Sequence, residues 1–101
     1  MKVERWNETL GEPTEEKMRR YLESNGYSVV KYDYPPGTCF PNHVHDFDKK
    51  DAVVSGRFRI EAEGHEFVLG PGDMLEIHAG VVHNAEVIGS VTVVSLDASK
   101  G

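Results

Sequence analysis

Hydrophobic positions along the chain recur with two different periods. Between residues 14 and 25, Met18, Tyr21 and Leu22 fall at i, i+3 and i+4, the spacing that lines up side chains on one face of an α-helix. Thr14 can cap that helix, and Glu15 and Glu16 sit at the positive end of its dipole. Asn25-Gly26 is a stop signal, because glycine adopts positive φ freely. From Tyr27 the period drops to two. Residues 27–34 read as a strand closed by Pro35-Pro36-Gly37, and a second strand covers 39–45. After a polar connection at 46–50, strands recur at about 51–55, 57–62, 65–69, 73–77, 83–87 and 91–96. Glycine-containing turns separate them. One short N-terminal helix followed by many short strands predicts an all-β sandwich or barrel, with residues 98–101 fraying.

Composition narrows the picture. A chain of 101 residues makes one domain, with an N-terminal segment and helix (1–26) packed on a barrel (27–98). The balance of 11 basic against 17 acidic side chains, a formal charge of −6, disfavours nucleic acid and anionic membrane, which both want basic patches. The first residues hold no apolar core of signal-peptide length, and no run approaches a membrane span. Cys39 is the only cysteine, so no internal disulfide can form, and a cytoplasmic location is expected. Trp6, among polar neighbours, is expected to pack on the domain or at a subunit contact.

The candidate chemistry lies in three histidines. His43 and His45 are one residue apart on an expected strand, which puts both imidazoles on one face. A later segment, from Gly72 to Gly80-Val81-Val82-His83, offers a third. Neutral imidazoles suit zinc, iron, nickel and copper, and three can hold a divalent ion with positions left open. Cys39 shares parity with His43 but lies ~13 Å along the strand from it, so it is expected as a small buried hydrophobe rather than a ligand. His65 follows a hairpin turn and is expected at the surface. Tyr32, Tyr34, Phe40, Phe47, Phe58 and Phe67 are either cavity lining or plain core. No nucleophile with its base and no glycine-rich phosphate loop is present.

These residues fall into two spaced motifs. The first is Gly, five residues, His-x-His, three or four residues, Glu, six residues, Gly; Gly37, His43, His45 and Gly56 are in register with it. The second is Gly, five residues, Pro-x-Gly, two residues, His, three residues, Asn; Gly72, Gly80 and His83 are in register. Over roughly residues 27–97 the chain thus resembles the cupins, small jelly-roll β-barrels. Three slots depart: Lys49 stands for the glutamate, His78 for the proline and Val87 for the asparagine. The resemblance implies a divalent metal ion (zinc, iron, nickel, manganese or copper) on His43, His45 and His83, a small-molecule ligand in the barrel, and a homodimer.

Lys49 changes the electrostatics. An ammonium ~5 Å from a divalent ion is repelled by about 7 kcal/mol at an effective dielectric of ~20. Three outcomes remain open. Lys49 turns outward; a carboxylate, Asp51 or Asp48, pairs with it; or no metal binds and Lys49 joins the histidines in holding an anion. Asp51 lies two residues on and shares the strand face, which makes it the better inward candidate, as lysine partner or fourth ligand. Lys49, Asp51 and His78 are the candidate substrate-binding residues, although the alternation of His78 with Leu75 and Ile77 places it on the opposite face from them. Three functions follow: a metal-dependent enzyme such as an oxygenase or isomerase, a non-catalytic binding or sensing module with or without metal, or a structural dimerising barrel with a vestigial pocket.

Overall fold

The computed structural model describes residues 1–100. The elements are β1 (Val3–Glu4), a 3-10 turn (Glu8–Leu10), α1 (Glu15–Ser24), β2 (Ser28–Tyr34), β3 (Cys39–His43), β4 (Asp48–Ser55), β5 (Arg57–Ala62), β6 (His65–Leu69), β7 (Met74–Ile77), β8 (His83–Ile88) and β9 (Val93–Lys100). The strands form two antiparallel sheets, in the orders β1-β7-β4-β9-β2 and β3-β8-β5-β6. This is a small all-β jelly-roll barrel with one short N-terminal α-helix.

Helix α1 starts where expected: the Thr14 hydroxyl accepts from the Lys17 N–H at 3.2 Å. Its apolar stripe, Met18 and Leu22, is fully buried against Ala52, Met74, Leu96 and Ala98 on the outer face of the five-stranded sheet. A second core, including Val53, Phe58, Ile60, Leu75 and Val93, fills the space between the sheets. The larger sheet is therefore covered on both faces. Along β4, Ala52 faces the helix, while Asp51 and Val53 face the barrel interior. Along β9, Leu96 and Ala98 face the helix, while Ser95 and Asp97 face inward.

Several expected boundaries move. Strand β4 begins at Asp48 rather than 51, because it pairs along its length with β9 and, through Lys49–Ala52, with β7. Strand β3 ends at His43, leaving His45 in the connection. The C-terminus does not fray: β9 runs to Lys100 between β4 and β2, with Ala98 fully buried; Gly101 lies outside the described residues. Strand β1, unforeseen and too short to show a period, pairs with β7, and Arg5 bonds Asp73 at 2.5 Å. Trp6 packs edge-on to Tyr21 and donates its indole N–H to the Gly11 carbonyl.

Two motif glycines have backbone reasons. Gly56 (φ +86°) and Gly72 (φ +88°) adopt left-handed conformations in tight places. A Cβ would lie 2.8 Å from the Thr92 carbonyl in the first case and 2.9 Å from Trp6 Cβ in the second. Among the described residues no helix is long and apolar enough to cross a membrane.

Candidate metal centre

The three histidines reach one place by different routes. His83 opens β8, where it pairs with His43 on one side and Ala62 on the other. His43 closes β3 after a bulge. Phe40 pairs with Ala85 and His43 with His83, so three steps on β3 oppose two on β8. The extra residue lets Phe40 and His43 both face inward despite their odd spacing. His45 lies just beyond β3, held by a bond from the Gly80 N–H to its carbonyl at 2.9 Å, which ties the two motif turns together.

The ligand atoms of His43, His45 and His83 all lie within 4.8 Å of one another. Ring centroids are 4.1 Å apart for His43 and His83, 5.0 Å for His43 and His45, and 5.3 Å for His45 and His83. His43 Nδ1 donates to the Pro41 carbonyl at 2.8 Å, and His83 Nδ1 to the Val81 carbonyl at 3.0 Å. A carbonyl only accepts, so each Nδ1 carries a proton, and in the neutral ring the lone pair is then on Nε2. The Nε2 atoms of His45 and His83 are buried and have no hydrogen-bond partner. An unmet buried polar atom costs about 1–3 kcal/mol. Burial holds the His45 and His83 pKa values below the ordinary histidine value. Lys49 and His43 add to the effect at His45; at His83 the Val81 carbonyl partly opposes it. Neutral imidazole lone pairs converging in a buried place are what a borderline divalent ion takes, and the donor set fits one.

Opposite the imidazoles stands a charged trio. Lys49 is buried, with its Nζ 3.1 Å from Asp51 and 2.9 Å from Asp97. Burial alone would lower the Lys49 pKa; Asp51 and Asp97 outweigh it and hold the ammonium above its ordinary value. The buried Asp51 carboxyl is pushed up by desolvation, against the pull of Lys49. Lys49 thus faces inward and is paired, with Asp51 as one partner. Asp48 is engaged elsewhere and accepts the Ala79 N–H at 2.8 Å.

Asp97 escapes a reading of the sequence alone. In Leu96-Asp97-Ala98 it looks like the solvent face of an amphipathic strand; the helix covers the apolar face instead, which leaves Asp97 for the barrel interior. Its pairing opposite Asp51 is the missing signal, and that is a property of register.

A cavity of about 460 Å³ joins these groups. The histidines, Lys49, Asp51 and Asp97 line one part, and Tyr32, Tyr34, Phe40 and Phe58 line another. Tyr34 packs edge-on to Phe40 at 5.0 Å and stacks on Phe58 at 5.6 Å. Its hydroxyl pKa is pushed well up, first by burial and then by Asp97 and Asp51, so it stays neutral. Phe47 packs on His45 outside this lining, and Phe67 packs against the inter-sheet core.

Two further residues lie elsewhere than expected. The His78 side chain is 64% exposed, with its ring nitrogens 3.7 Å from Asp48 and 3.4 Å from Glu76. Strand alternation puts it beside Glu76, outside the cavity lining. Cys39 is exposed rather than buried, because the bulge reverses the alternation between it and His43. His65 is at the surface, as expected.

Residues 30–98 match the Cupin domain family (Cupin_2), and the chain belongs to it. No curated protein sequence matches the chain. Among solved structures, KdgF from Halomonas sp. is 27% identical, with a TM-score of 0.64 over 72% of this chain and 67% of that one. A cupin superfamily protein from Desulfitobacterium hafniense DCB-2 is 16% identical, with a TM-score of 0.66 over 72% of this chain and 65% of that one. The DMSP lyase DddQ from Ruegeria pomeroyi DSS-3 is 24% identical, with a TM-score of 0.67 over 74% of this chain and 38% of that one. The last two likenesses concern the fold alone, and this chain spans less than two thirds of either protein.

Proposed function

We propose that this cupin is metal-dependent, with His43, His45 and His83 holding one divalent ion (zinc, iron, nickel, manganese or copper) and the cavity taking a small organic molecule beside it. The observation that carries this reading is the pair of buried, unpartnered Nε2 atoms on His45 and His83, close to the ligand nitrogen of His43. Bound there, the ion supplies a Lewis acid with open positions, able to polarise an oxygen of the ligand. The chain's own residues do the rest. The Pro41 and Val81 carbonyls fix two imidazole tautomers. Tyr34, Phe40 and Phe58 seat an apolar body and exclude water. Asp97, with its side chain 30% exposed, is the carboxylate of the trio most open to the ligand, and can accept a proton or a hydrogen bond from it. An oxygenase or isomerase and a sensing module both fit this arrangement. A metal-free module reading an anion through Lys49 is less well supported, because that ammonium is already occupied by two carboxylates.

Elemental analysis and zinc titration test the reading. Wild-type protein is expected to hold one ion per chain, and His43→Ala or His83→Ala to weaken binding at least tenfold. A wild type that takes up no stoichiometric metal overturns it.

A further inference from the structure

Lys49, Asp51 and Asp97 lie on adjacent strands and act on the same space. Asp51 and Asp97 are direct cross-strand partners of β4 and β9, both inward. Like charges placed opposite each other are unfavourable unless a cation lies between them. Lys49, one inward step along β4, supplies it. With both carboxylates ionised, as the Lys49 ammonium between them favours, the trio carries one positive and two negative groups, a sum of −1, in a cavity walled by protein where a single charge acts strongly.

We propose that Lys49, Asp51 and Asp97 form one charge-setting unit, which makes the cup select a small organic monoanion with an aromatic or apolar body, admitted only once the metal is in place. This rests on the metal-binding reading above. With three neutral imidazoles the empty cup sums to −1 and repels anions. With a divalent ion it sums to +1. A monoanion then brings it to neutrality, a dianion overshoots, and a neutral molecule gains nothing from the charge. The aromatic wall gives the other half of the specificity. The rings of Tyr34, Phe40 and Phe58 pack against one another, with centroids 5.0–6.3 Å apart, and together form one apolar wall of a cavity of about 460 Å³, large enough for a single-ring acid. Asp97 is the trio's most exposed member and therefore the specificity-determining one. Removing its charge moves the loaded cup from +1 to +2.

Three one-ring probes that differ mainly in charge test this: benzamide, benzoate and isophthalate. Their binding is measured by calorimetry on metal-free and zinc-loaded wild type and on zinc-loaded Asp97→Asn, with zinc content determined for every sample. Zinc-loaded wild type is expected to bind benzoate at least tenfold more tightly than either other probe, and the metal-free protein to bind neither of the two anions. In Asp97→Asn the benzoate-to-isophthalate preference moves at least tenfold toward isophthalate. The inference is overturned if zinc-loaded wild type binds benzamide or isophthalate as well as benzoate, or does not bind benzoate. It is also overturned if the metal-free form binds benzoate equally, or if Asp97→Asn keeps the wild-type preference. Should that variant not fold, the wild-type panel decides alone. A wild type that does not load zinc brings down the metal reading and this inference with it; one that loads zinc without sorting the probes brings down the inference only.

Discussion

Lys49 sits where an isolated ammonium would be costly, and two carboxylates make the position tenable. Its side chain is 9% exposed, and that of Asp51 10%. Breaking a buried ion pair by removing one partner costs about 3–5 kcal/mol, since the remaining charges stay buried and unpaired. Lys49→Met leaves Asp51 and Asp97 facing each other with no cation between them. It is expected to lower stability at neutral pH by about that amount, read from the midpoint of chemical denaturation. Part of the loss should return under mildly acidic conditions, where the facing carboxylates share a proton. A variant as stable as wild type at neutral pH would mean that the two carboxylates do not need the ammonium.

At the scale of elements, the bulge in β3 determines what the first motif presents. Counting alternate positions back from His43 puts Cys39 on the inner face. The extra residue between Phe40 and His43 breaks that count, turning Phe40 inward and Cys39 outward. Cys39 should therefore react with a thiol reagent in the native protein about as fast as in the unfolded chain, without loss of bound metal. A thiol protected until denaturant is added would place the bulge elsewhere. The same strand shows what local pattern can carry. Helix α1, its Thr14 cap and most strands are legible in periodicity and glycine turns. So are the three histidines, and Asp51 as the partner of Lys49. The inward turn of Asp97, the outward turn of Cys39 and the ordered end of β9 are not. Each depends on how one strand is registered against another, or on which face the helix covers, and neither is written in a strand's own residues.

For the whole molecule, the buried His83 and the half-buried His45 couple stability to pH. Burial holds the folded pKa values of His45 and His83 below the ordinary 6.5, whereas the unfolded chain has no such burial. Below that value the unfolded state binds more protons than the folded one, so stability falls with falling pH until the lowered pKa values are passed. Metal-free protein is expected to lose stability between about pH 7.5 and about pH 5.5, and His83→Asn to lessen the slope. A denaturation midpoint that is flat or rises on acidification would contradict the burial of neutral imidazoles. The central claim is that His43, His45 and His83 meet on one ion, and anomalous diffraction at the zinc edge from a crystal of zinc-loaded protein tests it most directly. A single strong peak is expected at about 2.0–2.1 Å from the Nε2 atoms of His45 and His83 and from a ring nitrogen of His43. A peak bonded elsewhere, or three imidazoles turned apart with no metal between them, would contradict it.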